Sequence, residues 1–196
     1  MDDRSKLRSQ MRIARKALTD EQQQTAAHAL LTHLLPLAAF NQAQSIAIYL
    51  ASDGEIDPQQ IIEHCWQQGK DVYLPVLDPD NYNHLLFVHY TAQTPMCFNK
   101  YQISEPAAPY QQTIPAEQLD LVLLPLVAFD NSGSRMGMGG GYYDRSFAFK
   151  QSPTHTAETP KLIGLAHALQ QVETLNVESW DIPLAAIATD GKVFNA

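Results

Sequence analysis

The chain has 196 residues, 45% hydrophobic and 17% charged, which suits one soluble globular core and excludes a disordered or fibrous chain. Its net charge of −8 speaks against nucleic acid as the main partner. That average hides an asymmetry, because six of the 13 basic residues lie between Arg4 and Lys16 with no acid among them.

Residues 4–18 read as a helix, since Leu7, Met11, Ala14 and Leu18 recur at helical spacing. No apolar segment behind this basic stretch resembles a secretory signal. Thr19, with Gln22 three residues on, is a capping-box signature for a second helix that Pro36 ends or bends before Ala39. Residues 45–51 (SIAIYLA) form a buried strand. Asp57 and Pro58 open a third helix as N-cap and first turn, and Gly69 closes it before a strand at 71–77 (DVYLPVL). A strand at 85–90 is expected at a sheet edge, followed by a long irregular connection at 94–118.

Residues 120–129 (DLVLLPLVAF) are the strongest strand signal, with a glycine loop and a helix from about Tyr143 behind them. The apolar run here is broken by Asp120 and Pro125 and is too short for a membrane span. A surface loop at 151–160 and short strands at 162–167, 185–188 and 192–194 complete the chain. This order predicts a single α/β domain: an open, mainly parallel (mixed) sheet with helices on both faces, Rossmann-like and three-layered. Cys65 and Cys97 make neither a disulfide framework nor a zinc site, and free thiols fit a cytoplasmic enzyme.

Four of the nine glycines, Gly137, Gly139, Gly140 and Gly141, fall within five residues. Following a strand and preceding a helix, they let backbone N–H groups approach an anion. The alternative is a plain turn, and the spacing matches neither the dinucleotide fingerprint nor the P-loop. Arg135 and Arg145 bracket the cluster, and a guanidinium fork suits phosphate oxygens. The remaining four of the six arginines, Arg4, Arg8, Arg12 and Arg15, fall within an arc of about 80° on the first helix. The stripe sits at the edge of the apolar face, so Arg4 or Arg8 is expected to meet an anion, with Arg12 and Arg15 weaker candidates. Asp144, Asp181 and Asp130 are candidate magnesium ligands, although each alone reads equally as a cap or a surface acid. Glu55, at a strand's end, could accept from the N–H groups of a heterocycle such as a pterin. The seven histidines show no metal-ligand spacing, and no nucleophile with its base is visible, so phosphoryl transfer by positioning is the chemistry expected. A sugar-phosphate isomerase or acyl-CoA-transferase-like protein on a similar fold, and a non-enzymatic module binding RNA or polyphosphate, remain the alternatives at this level.

Four segments resemble the 5-formyltetrahydrofolate cyclo-ligase (methenyltetrahydrofolate synthetase) family: RSKLRSQMRIARKAL, IAIYLASDGEID, PLVAFDNSGSRMGMGGGYYDR and GLAHALQQVETLNVESWDIPL. The resemblance implies a monomer that uses ATP and Mg2+ to convert 5-formyltetrahydrofolate into 5,10-methenyltetrahydrofolate, with both nucleophiles supplied by substrate and neither nucleic acid nor membrane as a partner. It implies ATP contacts from Arg4, Lys6, Arg8, Arg135, Gly137, Met138, Gly139, Gly140, Gly141, Tyr142 and Tyr143. It implies folate contacts from Leu50, Glu55 and Tyr142, magnesium ligation by Asp144 and Asp181, and a catalytic set of Arg135, Tyr143 and Arg145. Two positions depart from the family's habit: arginine stands at position 4 where lysine is usual, and Met138 where many members carry arginine.

Overall fold

The computed structural model describes residues 3–81, 83–99, 102–153 and 158–195. Helix α1 spans Asp3–Lys16 and α2 spans Asp20–Leu34. The capping box between them forms as expected: Gln22 N–H donates to Thr19 Oγ1 at 3.2 Å and Thr19 N–H to Gln22 Oε1 at 2.9 Å. Pro36 ends α2, and a short helix α3 (Ala38–Gln42) leads into strand β1 (Ser45–Ile48). Helix α4 (Gln59–Gln67) starts one residue later than expected, with the Asp57 carboxylate accepting from Gln59 N–H at 2.9 Å. Gly69, at φ 68°, turns the chain into β2 (Asp71–Leu77).

Beyond β3 (Leu85–His89) three expectations are corrected. The 94–118 connection is partly ordered, holding a hairpin of β4 (Met96–Phe98) and β5 (Ser104–Pro106), then β6 (Thr113–Ile114). Because β6 pairs with β3, β3 is one strand in from the edge. Residues 120–129 do not form one strand: β7 stops at Pro125 (Leu121–Pro125), and Ala128–Phe129 form β8, which pairs antiparallel with β9 (Arg135–Met136). The glycine loop therefore leaves a small hairpin rather than a sheet strand, and the helix behind it, α5 (Tyr142–Ser146), has only five residues. Strands β10 (Lys161–Ala166), β11 (Ala186–Thr189) and β12 (Val193–Asn195) follow. The part of the 151–160 loop at 154–157, which includes His155, lies outside the described residues.

The main sheet runs β12-β11-β10-β7-β1-β2-β3-β6, parallel from β11 to β2 and antiparallel at both flanks. Strict alternation assigns Ile46, Ile48, Leu121 and Leu123 to a core shared with α2, α3 and α4. Ala47, Val122 and Leu124 face the opposite way, onto Phe147 and Phe87 beside α5. The fold is thus the expected mixed α/β sheet, thick on one face and thinly covered on the other. The carboxyl ends of β1, β2 and β7 open toward the glycine loop and α1, where open α/β sheets bind ligands.

Candidate active site

A cleft of about 1350 Å³ lies at those strand ends, lined by α1, the residues after β1, the glycine loop, α5, the β4–β5 hairpin and the segment around Trp180. Gly139 and Gly141 hold left-handed φ values of 95° and 64°. A Cβ on Gly140 would stand 2.8 Å from the Tyr142 ring, so the loop leaves no room for a side chain there. Arg8 Nε donates to the Gly137 carbonyl at 3.0 Å, tying the first helix to the loop. On the other side Arg145 donates to the Gly140 carbonyl and, through Nε at 3.1 Å, to Asn83, with its guanidinium 5.8 Å from the Tyr142 ring. Arg8 and Arg145 thus grip the loop's backbone from either side, whereas Arg135, the other arginine expected to bracket it, turns to Asp144 and Ile182.

Arg135 is nearly enclosed, its side chain 8% exposed. One nitrogen meets Asp144 Oδ1 at 2.5 Å and another the Ile182 carbonyl at 2.5 Å, while Ile182 N–H returns to Asp144 Oδ1 at 3.2 Å. Asp181, next in sequence to Ile182, accepts from Glu178 N–H on Oδ2 at 2.9 Å. The two aspartates thus stand on one seam of the cleft, each with its described hydrogen bonds confined to one oxygen. Among the described residues no cluster of three acidic, histidine or cysteine side chains could cage a metal. Two half-engaged carboxylates nevertheless fit magnesium, which takes few protein ligands when phosphates and waters complete its shell. Asp130 is separate from this seam: it is buried, and its carboxylate accepts from Ser132, Ser134 and Leu175 N–H groups, anchoring the β8–β9 turn.

Across the cleft, Leu50 and Glu55 line the wall beneath α1. Glu55 accepts from Ser52 N–H at 3.1 Å and lies 3.7 Å from Arg15. Burial pushes its carboxyl above the ordinary range, with Arg15 opposing. Tyr143 stands between this wall and Arg135: burial first, then the Glu55 charge, drives its hydroxyl well above the usual tyrosine value, and its ring lies parallel to Phe147 at 6.5 Å.

The basic stripe divides. Arg4 reaches Glu178 at 3.4 Å and Arg8 the glycine loop, both on the cleft. Lys6 pairs with Asp3 at 3.7 Å and does not line the cleft. Arg12, Arg15 and Lys16 also border the cleft but are bound to Asp53, with Arg15 fully buried. Sequence reasoning missed this acid, as it missed Trp180 and the hairpin residues Gln102 and Glu105 on the cleft. An exposed tryptophan beside a candidate metal ligand was the one signal available.

The profile of the 5-formyltetrahydrofolate cyclo-ligase family matches residues 1–190. The chain is 43% identical to the 5-formyltetrahydrofolate cyclo-ligase of Escherichia coli over 184 residues, covering 94% of this chain and 98% of that protein. It is 42% identical to the Haemophilus influenzae protein of the same name over 181 residues, 92% and 94% of the two chains. Its fold superposes on a 5,10-methenyltetrahydrofolate synthetase from Aquifex aeolicus with a TM-score of 0.80 at 25% identity, over 98% of this chain and 92% of that one.

Proposed function

Because this chain belongs to the 5-formyltetrahydrofolate cyclo-ligase family, we propose that it converts 5-formyltetrahydrofolate to 5,10-methenyltetrahydrofolate with ATP and magnesium, releasing ADP and phosphate. The observation that carries the reading is the shared cleft: the loop and arginines suited to a triphosphate face the same space as Leu50 and Glu55. The formyl oxygen attacks the γ-phosphorus and the bond to the β-phosphate oxygen breaks. The neighbouring folate nitrogen then attacks the activated carbon and gives up its proton, and phosphate leaves with the former formyl oxygen. Both nucleophiles belong to the folate, so the protein's work is alignment and charge stabilisation.

Each residue has a part in that alignment. Gly137, Met138, Gly139, Gly140 and Gly141 wrap the phosphates, with Arg4, Arg8 and Arg135 supplying positive charge. Arg145 anchors the loop through the Gly140 carbonyl. Tyr142 and Tyr143 wall the phosphate donor from the acceptor, and Glu55 accepts from the folate ring while Leu50 packs against it. Asp144 and Asp181 would hold magnesium, which neutralises phosphate charge when bound. The reaction involves two small molecules and a single copy of the chain. Among the described residues no helix is long and apolar enough to cross a membrane.

The test is direct. The near-ultraviolet absorbance of methenyltetrahydrofolate should grow when the protein meets 5-formyltetrahydrofolate, ATP and magnesium, stop on chelation, and resume when magnesium is restored. No product at any enzyme concentration rejects the reading, and turnover unaffected by chelation rejects the metal.

A further inference from the structure

Helix α1 carries the cations offered to the nucleotide, yet little apolar surface holds it in place. Its one fully buried side chain is Arg15. Leu7 and Met11 add only a partial contact with Ala128, Met136 and Leu175. What fixes the helix is polar. Asp53, in the turn after β1 with φ 54°, receives Arg12 through two bonds of 2.6 and 3.0 Å, Arg15 Nη2 at 2.8 Å, and Lys16 Nζ. Arg15 Nε also donates to the Asp53 carbonyl at 2.8 Å. From there the same guanidinium continues to Glu55 at 3.7 Å and to the Leu126 carbonyl, just past β7, at 3.4 Å. The backbones themselves meet: a Cβ on Gly54 would stand 3.1 Å from the Arg15 carbonyl. Gln23 Nε2 spans the joint, 3.3 Å from both the Arg15 and the Gly54 carbonyls.

An exposed ion pair contributes little, but a mostly enclosed carboxylate holding three cations, one bidentate, fixes direction as well as distance. Arg8 and Arg15 are seven residues apart on one helix, a lever of about 10 Å. A tilt of roughly 10° at the joint would carry Arg8 about 2 Å from the Gly137 carbonyl, beyond hydrogen-bond range.

We propose that Asp53 is a positioning residue that holds α1 in register with residues 52–55, so that one joint sets both the arginines offered to the nucleotide and the carboxylate offered to the folate. The proposal rests on the preceding section for which ligand lies on which side. Charge alone predicts the opposite behaviour: removing Asp53's negative charge would free three cations and tighten the grip on any anion.

The experiment compares wild type with Asp53→Asn and Asp53→Glu. Nucleotide affinity is read calorimetrically with a non-hydrolysable ATP analogue and magnesium, and KM for both substrates is read by turnover. Asp53→Asn is expected to weaken the analogue, and to raise both KM values, by between about 5- and 50-fold, with a smaller change in kcat. Asp53→Glu should recover part of the loss. Should Asp53→Asn fail to fold, Arg12→Gln, which removes one partly exposed arm, is expected to shift the same quantities in the same direction by less. The proposal is overturned by binding as tight as or tighter than wild type, or by a lower melting temperature with both KM values unchanged. Absence of product from wild type would reject the reaction, while the calorimetric comparison would still decide the joint.

Discussion

Two carboxylates two positions apart are driven in opposite directions. Asp53 is held well below the ordinary aspartate range, chiefly by its hydrogen bond from Arg12, whereas burial lifts Glu55 above its own. A raised carboxyl favours the fold while protonated, and that advantage is full below the ordinary glutamate value and lost as pH rises through the raised one. Glu55→Gln should therefore melt above wild type at neutral pH and lose that margin near about pH 4. Melting curves at the two pH values check it, and a wild type that melts higher at neutral pH would mean that Arg15 outweighs burial. Arg135→Ala should keep the fold and lower kcat/KM for ATP by about 100-fold, because the nearly enclosed guanidinium braces Asp144 and is the phosphate partner of the proposed reaction. Unchanged ATP kinetics would remove Arg135 from the site. That the glycine loop and Arg4, Arg8, Arg135 and Arg145 share one cleft was legible because glycines and arginines crowd together in the sequence. Asp53 was not, since its partners Arg12 and Arg15 lie 41 and 38 positions away and an aspartate in a turn looks like any other.

Where a local signal is self-contained, the element formed as expected. The Thr19–Gln22 box is reciprocal, and the helix it opens packs its buried Ala26, Leu30 and Leu34 on the sheet. Thr19→Ala should cost about 1 kcal/mol, a fall of about 2–4 °C in melting temperature, with kinetics unchanged. A melting temperature equal to wild type would show the cap to be idle. Elements defined by a distant partner were harder to read. Residues 121–129 carry no polar side chain on either side of Pro125, and hydropathy cannot reveal that the chain quits a parallel ladder at that proline and pairs antiparallel three residues later. Strand β6 has two residues and β4 three, too few for any periodicity to register. Gln102, with φ 59°, makes a hairpin turn that glycine would have advertised.

Over the whole molecule, the charge is arranged as a basic strip laid against an acidic body. Three of the strip's six cations are consumed by Asp53, which weakens the case for a nucleic-acid module and leaves Arg4 and Arg8 as the cleft-lining cations of the strip not bound to it. The KM for ATP should accordingly rise several-fold between about 0.05 and 0.3 M salt, and the KM for 5-formyltetrahydrofolate should rise less. A salt-independent KM for ATP would argue that the contacts are fully shielded. The reach of α1 along the chain has a consequence for how the protein is made. Arg8 meets a carbonyl 129 residues later and Arg4 an acid 174 residues later. During synthesis the first helix emerges long before either partner exists, with only a narrow apolar face and no finished surface to cover it. Six cations between Arg4 and Lys16, with no acid among them, would make copies of that waiting helix repel one another. The side chains proposed to hold phosphate would thus first serve to keep the nascent chain in solution.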